Sequence, residues 1–131
     1  MTQGATIDRY MTRDLVTLSP DMEVTRAVAT LIEYDISAAP VVDTVGRLLG
    51  ILTARDCFRA VLHAHYHQEL GDTVAGYMTA DVDTLEVGMG IVTAAQRFMD
   101  SNHRRYPVMQ DGRLAGIITR MDLLRAFQAE G

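Results

Sequence analysis

At 131 residues the chain is long enough to bury one core without disulfides or metal, and 48% apolar with 22% charged residues is an ordinary globular balance. A formal net charge of −5 argues against sequence-independent nucleic-acid binding, which needs a basic stripe to displace phosphate counterions. One cysteine, Cys57, excludes an internal disulfide and suits a reducing compartment. Its apolar neighbours mark it as a small buried hydrophobe. Met1–Thr6 shows no basic-then-apolar leader pattern, and no run approaches the ~18 apolar residues of a membrane span. A cytoplasmic location away from the membrane is therefore expected.

In chain order, the first element expected is a short strand ending at Thr17-Leu18. Val24, Ala27, Val28, Leu31 and Ile32 then recur at helical spacing. A strand over Ala39–Val42, a turn and a strand over Leu48–Thr53 follow. The second of these leads straight into a helix whose apolar face is read as Cys57, Phe58, Val61 and Leu62. The segment from Leu62 to Gly76 carries His63, His65 and His67, with Gly71 and Gly76 as breaks. The same order then returns. A strand ends at Thr84-Leu85, a helix shows Ile91, Ala94, Ala95, Phe98 and Met99, and a strand covers Tyr106–Met109. Gln110-Asp111-Gly112-Arg113 has the Asp-Gly pair of a tight hairpin. A strand over Leu114–Thr119 runs into a helix showing Leu123, Leu124 and Phe127.

That return is an internal repeat. Tyr10-Met11-Thr12 matches Tyr77-Met78-Thr79, Thr17-Leu18 matches Thr84-Leu85, and Pro40-Val41 matches Pro107-Val108. After one residue is skipped in the second copy, Gly46-Arg47-Leu48-Leu49-Gly50-Ile51-Leu52-Thr53 meets Gly112-Arg113-Leu114-Ala115-Gly116-Ile117-Ile118-Thr119. Asp56 falls on Asp122 and Arg59-Ala60 on Arg125-Ala126. The expected fold class is α+β, each copy running strand, helix, strand, strand, helix. The expected boundaries are residues 7–62 for the first copy, 63–76 for a joining segment and 77–129 for the second. One copy alone is too small to bury its sheet, so the two should pack together and leave clefts.

Thr53-Ala54-Arg55-Asp56 and Thr119-Arg120-Met121-Asp122 stand at matching strand-to-helix junctions. Threonine with an acid three residues on is a capping-box pattern. The same geometry suits a ligand, since a helix start offers free N–H groups and a neighbouring carboxylate can accept both hydroxyls of a ribose. Spacing alone leaves both readings open. Arg104 and Arg105 precede a strand and offer two guanidinium forks for phosphate; the alternative is a solvated pair at a helix end. His63 and His67 share a helix face, but the acids and spacing of a zinc site are missing, so a polar helix extension is the default and no metal is expected.

The run Gly-Arg-Leu-x-Gly-Ile-x-Thr-x-x-Asp, preceded by Pro-Val and a turn, resembles the signature of the CBS domain. Two copies, covering about residues 7–129, resemble the tandem pair called a Bateman module. The resemblance implies two tandem CBS repeats, each a small mixed sheet with two helices, packed with pseudo-two-fold symmetry. It also implies clefts that take adenosine compounds such as AMP, ADP, ATP or S-adenosylmethionine, with no cofactor required. Carried over, Asp56 and Asp122 would hold ribose diols, with Thr53 and Thr119 near ribose and phosphate. Residues before the Pro-Val strand of the other copy would complete each cleft: His103, Arg104 and Arg105 for that of Asp56, and Ile36, Ser37 and Ala38 for that of Asp122. Thr12 and Thr79 are further lining candidates.

Three functions are thereby ranked. A nucleotide sensor leads, working as a homodimer and signalling to a protein partner that the sequence does not name. A non-catalytic interaction or dimerisation module with degenerate clefts follows. An enzyme comes last, because no nucleophile–base set or phosphate loop is visible.

Overall fold

The computed structural model describes residues 4–67 and 72–131, and the chain folds as two compact units. The first is Val16–Val82 and the second joins the residues up to Leu15 to Asp83–Gly131.

In the first unit, α1 (Val24–Glu33) is followed by an antiparallel pair, β1 (Ala38–Val42) and β2 (Leu48–Thr53), and then by α2 (Ala54–His67). The strand expected at Thr17-Leu18 is reduced to Leu18, bridged in parallel to Val41. Its N–H reaches the Pro40 carbonyl at 2.9 Å. Helix α1 stops at a left-handed Asp35 (φ 52°), where the Ile36 N–H returns to the Leu31 carbonyl at 3.0 Å. Between β1 and β2 the Asp43 carboxylate accepts the N–H groups of Val45 and Arg47 and the Arg47 side chain. This loop holds the residue that the second copy lacks, and the backbone bond from Arg47 is the main reason the Asp43 carboxyl titrates below the usual range.

The second unit repeats the plan with β3 (Leu85–Glu86), α3 (Ile91–Met99), β4 (Arg105–Gln110), β5 (Arg113–Thr119) and α4 (Arg120–Glu130). β3 lies parallel to β4, and β4 antiparallel to β5. Asp111 and Gly112 both take positive φ (53° and 79°), the mirror-image turn that an Asp-Gly pair favours.

Each copy's leading segment folds into the unit that holds the body of the other. Thr12 exchanges backbone bonds with Ile117 at 2.8 and 2.9 Å, and Thr79 with Ile51 at 2.9 Å both ways. These segments also complete helix starts that have no side-chain cap. The Val24 N–H donates to the Asp72 carbonyl and the Ile91 N–H to that of Ala5. Gly50 is demanded here. A Cβ on it would stand 2.6 Å from the Thr79 carbonyl oxygen and 2.9 Å from the Met78 sulfur. Gly116 stands in the same relation to Thr12 and Met11.

The core-facing sides of the helices are narrower than their hydrophobic pattern suggests. Of the face expected on α2, Cys57 is buried together with Ala60, while Phe58 is 67% exposed and Val61 and Leu62 are exposed as well. On α4, Leu123 and Ala126 are buried and Leu124 is exposed. Ile32 and Met99, at the ends of α1 and α3, also face outward. Small side chains at the helix–sheet contact let the elements approach closely, so the bulkier neighbours are left on an adjoining face.

Candidate functional site

The two Thr-x-x-Asp turns are built alike. At the end of β2 the Asp56 carboxylate accepts the Thr53 N–H at 2.9 Å, and the Asp56 N–H donates to the Thr53 hydroxyl at 3.1 Å. At the end of β5 the corresponding distances for Thr119 and Asp122 are 2.8 and 3.1 Å. Both are reciprocal capping boxes, with Asp in the place of the usual Glu. The shorter acid suffices because each strand enters its helix without an intervening residue.

The second carboxylate oxygen of each acid meets an arginine one turn on. Arg59 donates to Asp56 Oδ1 at 2.9 Å, and Arg125 to Asp122 Oδ1 at 3.2 Å. Arg59 is held further: it also donates to the Tyr77 carbonyl at 2.9 Å and lies over the Tyr77 ring. Tyr10, the counterpart of Tyr77, instead gives its hydroxyl to Glu130, a bond that raises the phenol's pKa. Asp56 is only 6% exposed, and the Asp122 side chain 13%. Burying such carboxylates is tolerable because their oxygens have charged or N–H partners. Asp56 Oδ2 also accepts the Thr53 hydroxyl at 3.0 Å, so acceptor capacity remains chiefly on Oδ1 of each acid, beside its arginine.

Beside each turn, within its own unit, stand the residues that the sequence reading assigns to the cleft of the other aspartate. In the first unit, Ala38 pairs with Thr53, the Ala54 N–H donates to the Ser37 carbonyl at 2.8 Å, and Thr79 is bridged to Ile51. Ile36 is half-buried against the core. In the second unit, Arg105 pairs with Thr119, the Arg120 N–H reaches the Arg104 carbonyl at 3.4 Å, and Thr12 is bridged to Ile117. His103 turns its ring to Asp83, with Nε2 2.8 Å from the carboxylate, and packs edge-on against Tyr106. An acid twenty residues away gives no sequence signal for that engagement. Arg59, Arg125 and Arg120 also stand at these turns, and sequence reasoning assigned them no role. The matched placement of the first two was the available sign.

Further features adjoin the first turn. An apolar groove of about 280 Å³ runs between α1 and α2, lined by Val28, Leu31, Ile32, Ile36, Cys57 and Phe58, with Asp35 at its rim. The Cys57 thiol is pushed to a higher pKa by burial and then by the Asp56 charge. The rings of His63 and His67 lie 4.5 Å apart on α2, tilted by 40° to one another. Among the described residues no three His, Cys, Asp or Glu side chains come together as a metal-binding group, and no helix is long and apolar enough to cross a membrane.

The CBS-domain family profile matches residues 7–63 and 74–129. The chain belongs to the CBS-domain family. This CBS pair is similar in structure to CBSX2 of Arabidopsis thaliana, solved in complex with AMP, at 27% identity and a TM-score of 0.82, covering 98% of this chain and 100% of that one. It is also similar to the CBS domain pair of protein MJ0100, solved with 5-methylthioadenosine and S-adenosyl-L-methionine, at 25% identity, a TM-score of 0.75 and coverage of 97% and 98%. Among curated sequences, MJ1225 of Methanocaldococcus jannaschii is 30% identical over 95% of this chain. The pair spans 43% of MJ1225 and, at 33% identity, 23% of the inosine-5'-monophosphate dehydrogenase of the same organism, so it corresponds to less than half of either. The fold is the expected one: α+β, with two tandem CBS repeats.

Proposed function

We propose that this CBS pair is a regulatory sensor of adenosine-containing ligands, namely AMP, ADP, ATP or S-adenosylmethionine, and that it carries out no chemistry on them. The observation that carries this reading is the Thr-x-x-Asp turn, built twice with the same bonds. Like-folded relatives at 25–27% identity hold AMP, 5-methylthioadenosine and S-adenosyl-L-methionine.

In this reading Asp56 and Asp122 accept ribose hydroxyls on the lone pairs that Arg59 and Arg125 leave open, while Thr53 and Thr119 stand beside ribose and phosphate. Arg104 and Arg105 supply phosphate forks. His103, Ile36, Ser37, Ala38, Thr12 and Thr79 are the remaining wall candidates. Ligand binding shifts the population of conformations that a partner protein reads. Exposed Phe58, Val61 and Leu62 on α2 and Leu124 on α4 support a homodimer as the working form. The acidic net charge and single cysteine support a cytoplasmic protein without a nucleic-acid or membrane partner.

A melting-temperature screen against adenosine, AMP, ADP, ATP and S-adenosylmethionine tests the reading. A ligand at a hundredfold its dissociation constant adds about 2.7 kcal/mol and raises the midpoint by several degrees. A flat response to all five would favour an interaction module with degenerate clefts.

A further inference from the structure

The end of α2 carries three histidines that the Thr-x-x-Asp turns do not use. His63, His65 and His67 are all exposed there. Residues four apart on a helix share a face, so His63 and His67 are neighbours and His65 is turned away from them. The rings follow that rule. Those of His63 and His67 are centred 4.5 Å apart and tilted by 40°, whereas the ring of His65 packs edge-on against Tyr66. The Tyr77 ring stands edge-on to His63 at 6.4 Å. Tyr77 is itself held by Arg59, which lies over its ring and donates to its carbonyl.

Two imidazoles at this separation can share one metal ion. With metal–nitrogen bonds of about 2.0–2.1 Å, two rings side by side on one ion have their centres about 4.5–5 Å apart. Each imidazole has two nitrogens, so one can bind metal while the other keeps a hydrogen bond, as metal-bound histidines usually do. The pair also lies at the carbonyl end of α2, where the helix dipole attracts a cation. Arg59, the cation one turn back on the same face, is paired with Asp56 at 2.9 Å. Among the described residues no third His, Cys, Asp or Glu joins the two rings, which leaves the other coordination positions to water. Such a pair carries none of the acids or spacing that mark a zinc site in a sequence; the ring separation is what reveals it.

We propose that His63 and His67 form a two-histidine site on α2 for a late first-row divalent metal ion, such as Zn2+, Ni2+ or Cu2+. Imidazole nitrogen suits these ions, whereas Mg2+ and Ca2+ take oxygen ligands that the pair does not offer. The bound ion bridges one turn of helix and fastens the end of α2. Because the two rings already stand together, little side-chain freedom is lost on binding. Neither histidine belongs to the turns assigned to adenosine ligands, so metal binding stands or falls apart from that reading.

Calorimetric titration of Zn2+, Ni2+ and Mg2+ into the untagged full chain, and into His63→Ala, His67→Ala and His65→Ala, tests this. The wild type is expected to bind Zn2+ and Ni2+ with dissociation constants below about 0.1 mM and to give no response to Mg2+. His63→Ala and His67→Ala should each weaken both ions at least about tenfold, since each removes a ligand. His65→Ala should bind as the wild type does. All three positions are exposed and alanine is the best helix former, so the variants keep α2, which circular dichroism verifies. Wild-type binding weaker than about 0.1 mM would overturn the proposal, as would a response to Mg2+ equal to that for Zn2+. Undiminished affinity in His63→Ala or His67→Ala would overturn it too. Equal losses in all three variants would do the same, because the run would then chelate metal without using a helix face.

Discussion

Asp56 and Asp122 each serve two local ends, closing a helix start and holding an arginine one turn on. Removing either carboxylate should therefore cost about 1 kcal/mol of cap stability in addition to any ligand affinity. Cys57, the residue after Asp56, gives a pH-dependent check on this region. Burial and the adjacent carboxylate raise its pKa, so the native state holds the thiol proton more tightly than the unfolded chain does. That contribution is complete below the unfolded thiol's pKa of about 8.5 and is lost as pH rises through the higher native value. In urea unfolding, the stability advantage of the wild type over Cys57→Ala should shrink as pH rises above about 8.5. A constant difference would mean that Cys57 is not buried beside a charged Asp56. At this scale the sequence was informative where chemistry repeats: the paired Thr-x-x-Asp turns and the apolar setting of Cys57 were both readable. The ring of His103 was not, because its partner Asp83 lies in a different segment.

At the scale of elements, the helices and the β4–β5 turn follow from local pattern, and β2 ends on the expected residue. What local pattern could not reveal is where each Tyr-Met-Thr segment docks. Thr12 and Thr79 join their sheets through isolated bridges, too short to show a two-residue periodicity. The repeat nevertheless carried the trace, since both these segments and Gly50 and Gly116 recur. Gly50→Ala should destabilise the protein by about 1–3 kcal/mol, because the contacts that a Cβ would meet include the Thr79 carbonyl, which cannot move without breaking the bridge. Gly88→Ala, with nothing within 4 Å of its Cβ position, is the control and should be close to neutral. Equal denaturation midpoints for the two variants would contradict this account of the docking. The helix faces were partly misread for a related reason. Ala60 and Ala126 mark the contact with the core, and their small size hides them in any hydrophobicity pattern dominated by Phe58 or Leu124.

For the whole molecule, the exposed apolar side chains and the sensor reading both bear on assembly. Phe58, Val61 and Leu62 are three large hydrophobic residues exposed within one stretch of α2, and surface of that kind calls for a partner. Light scattering at micromolar concentration should give twice the 14.5 kDa chain mass, and Phe58→Asp should shift it toward the monomer. A wild-type monomer would remove the dimer from the account and leave the ligand turns untouched. Those turns are the central claim, and calorimetric titration of AMP into the wild type and into the Asp56→Ala/Asp122→Ala variant, with folding of the variant verified by circular dichroism, tests it most directly. Saturable binding by the wild type, weakened at least about tenfold in a folded variant, is the predicted result. Undiminished AMP affinity in a variant that has lost only thermal stability would show that both aspartates are helix caps and nothing more.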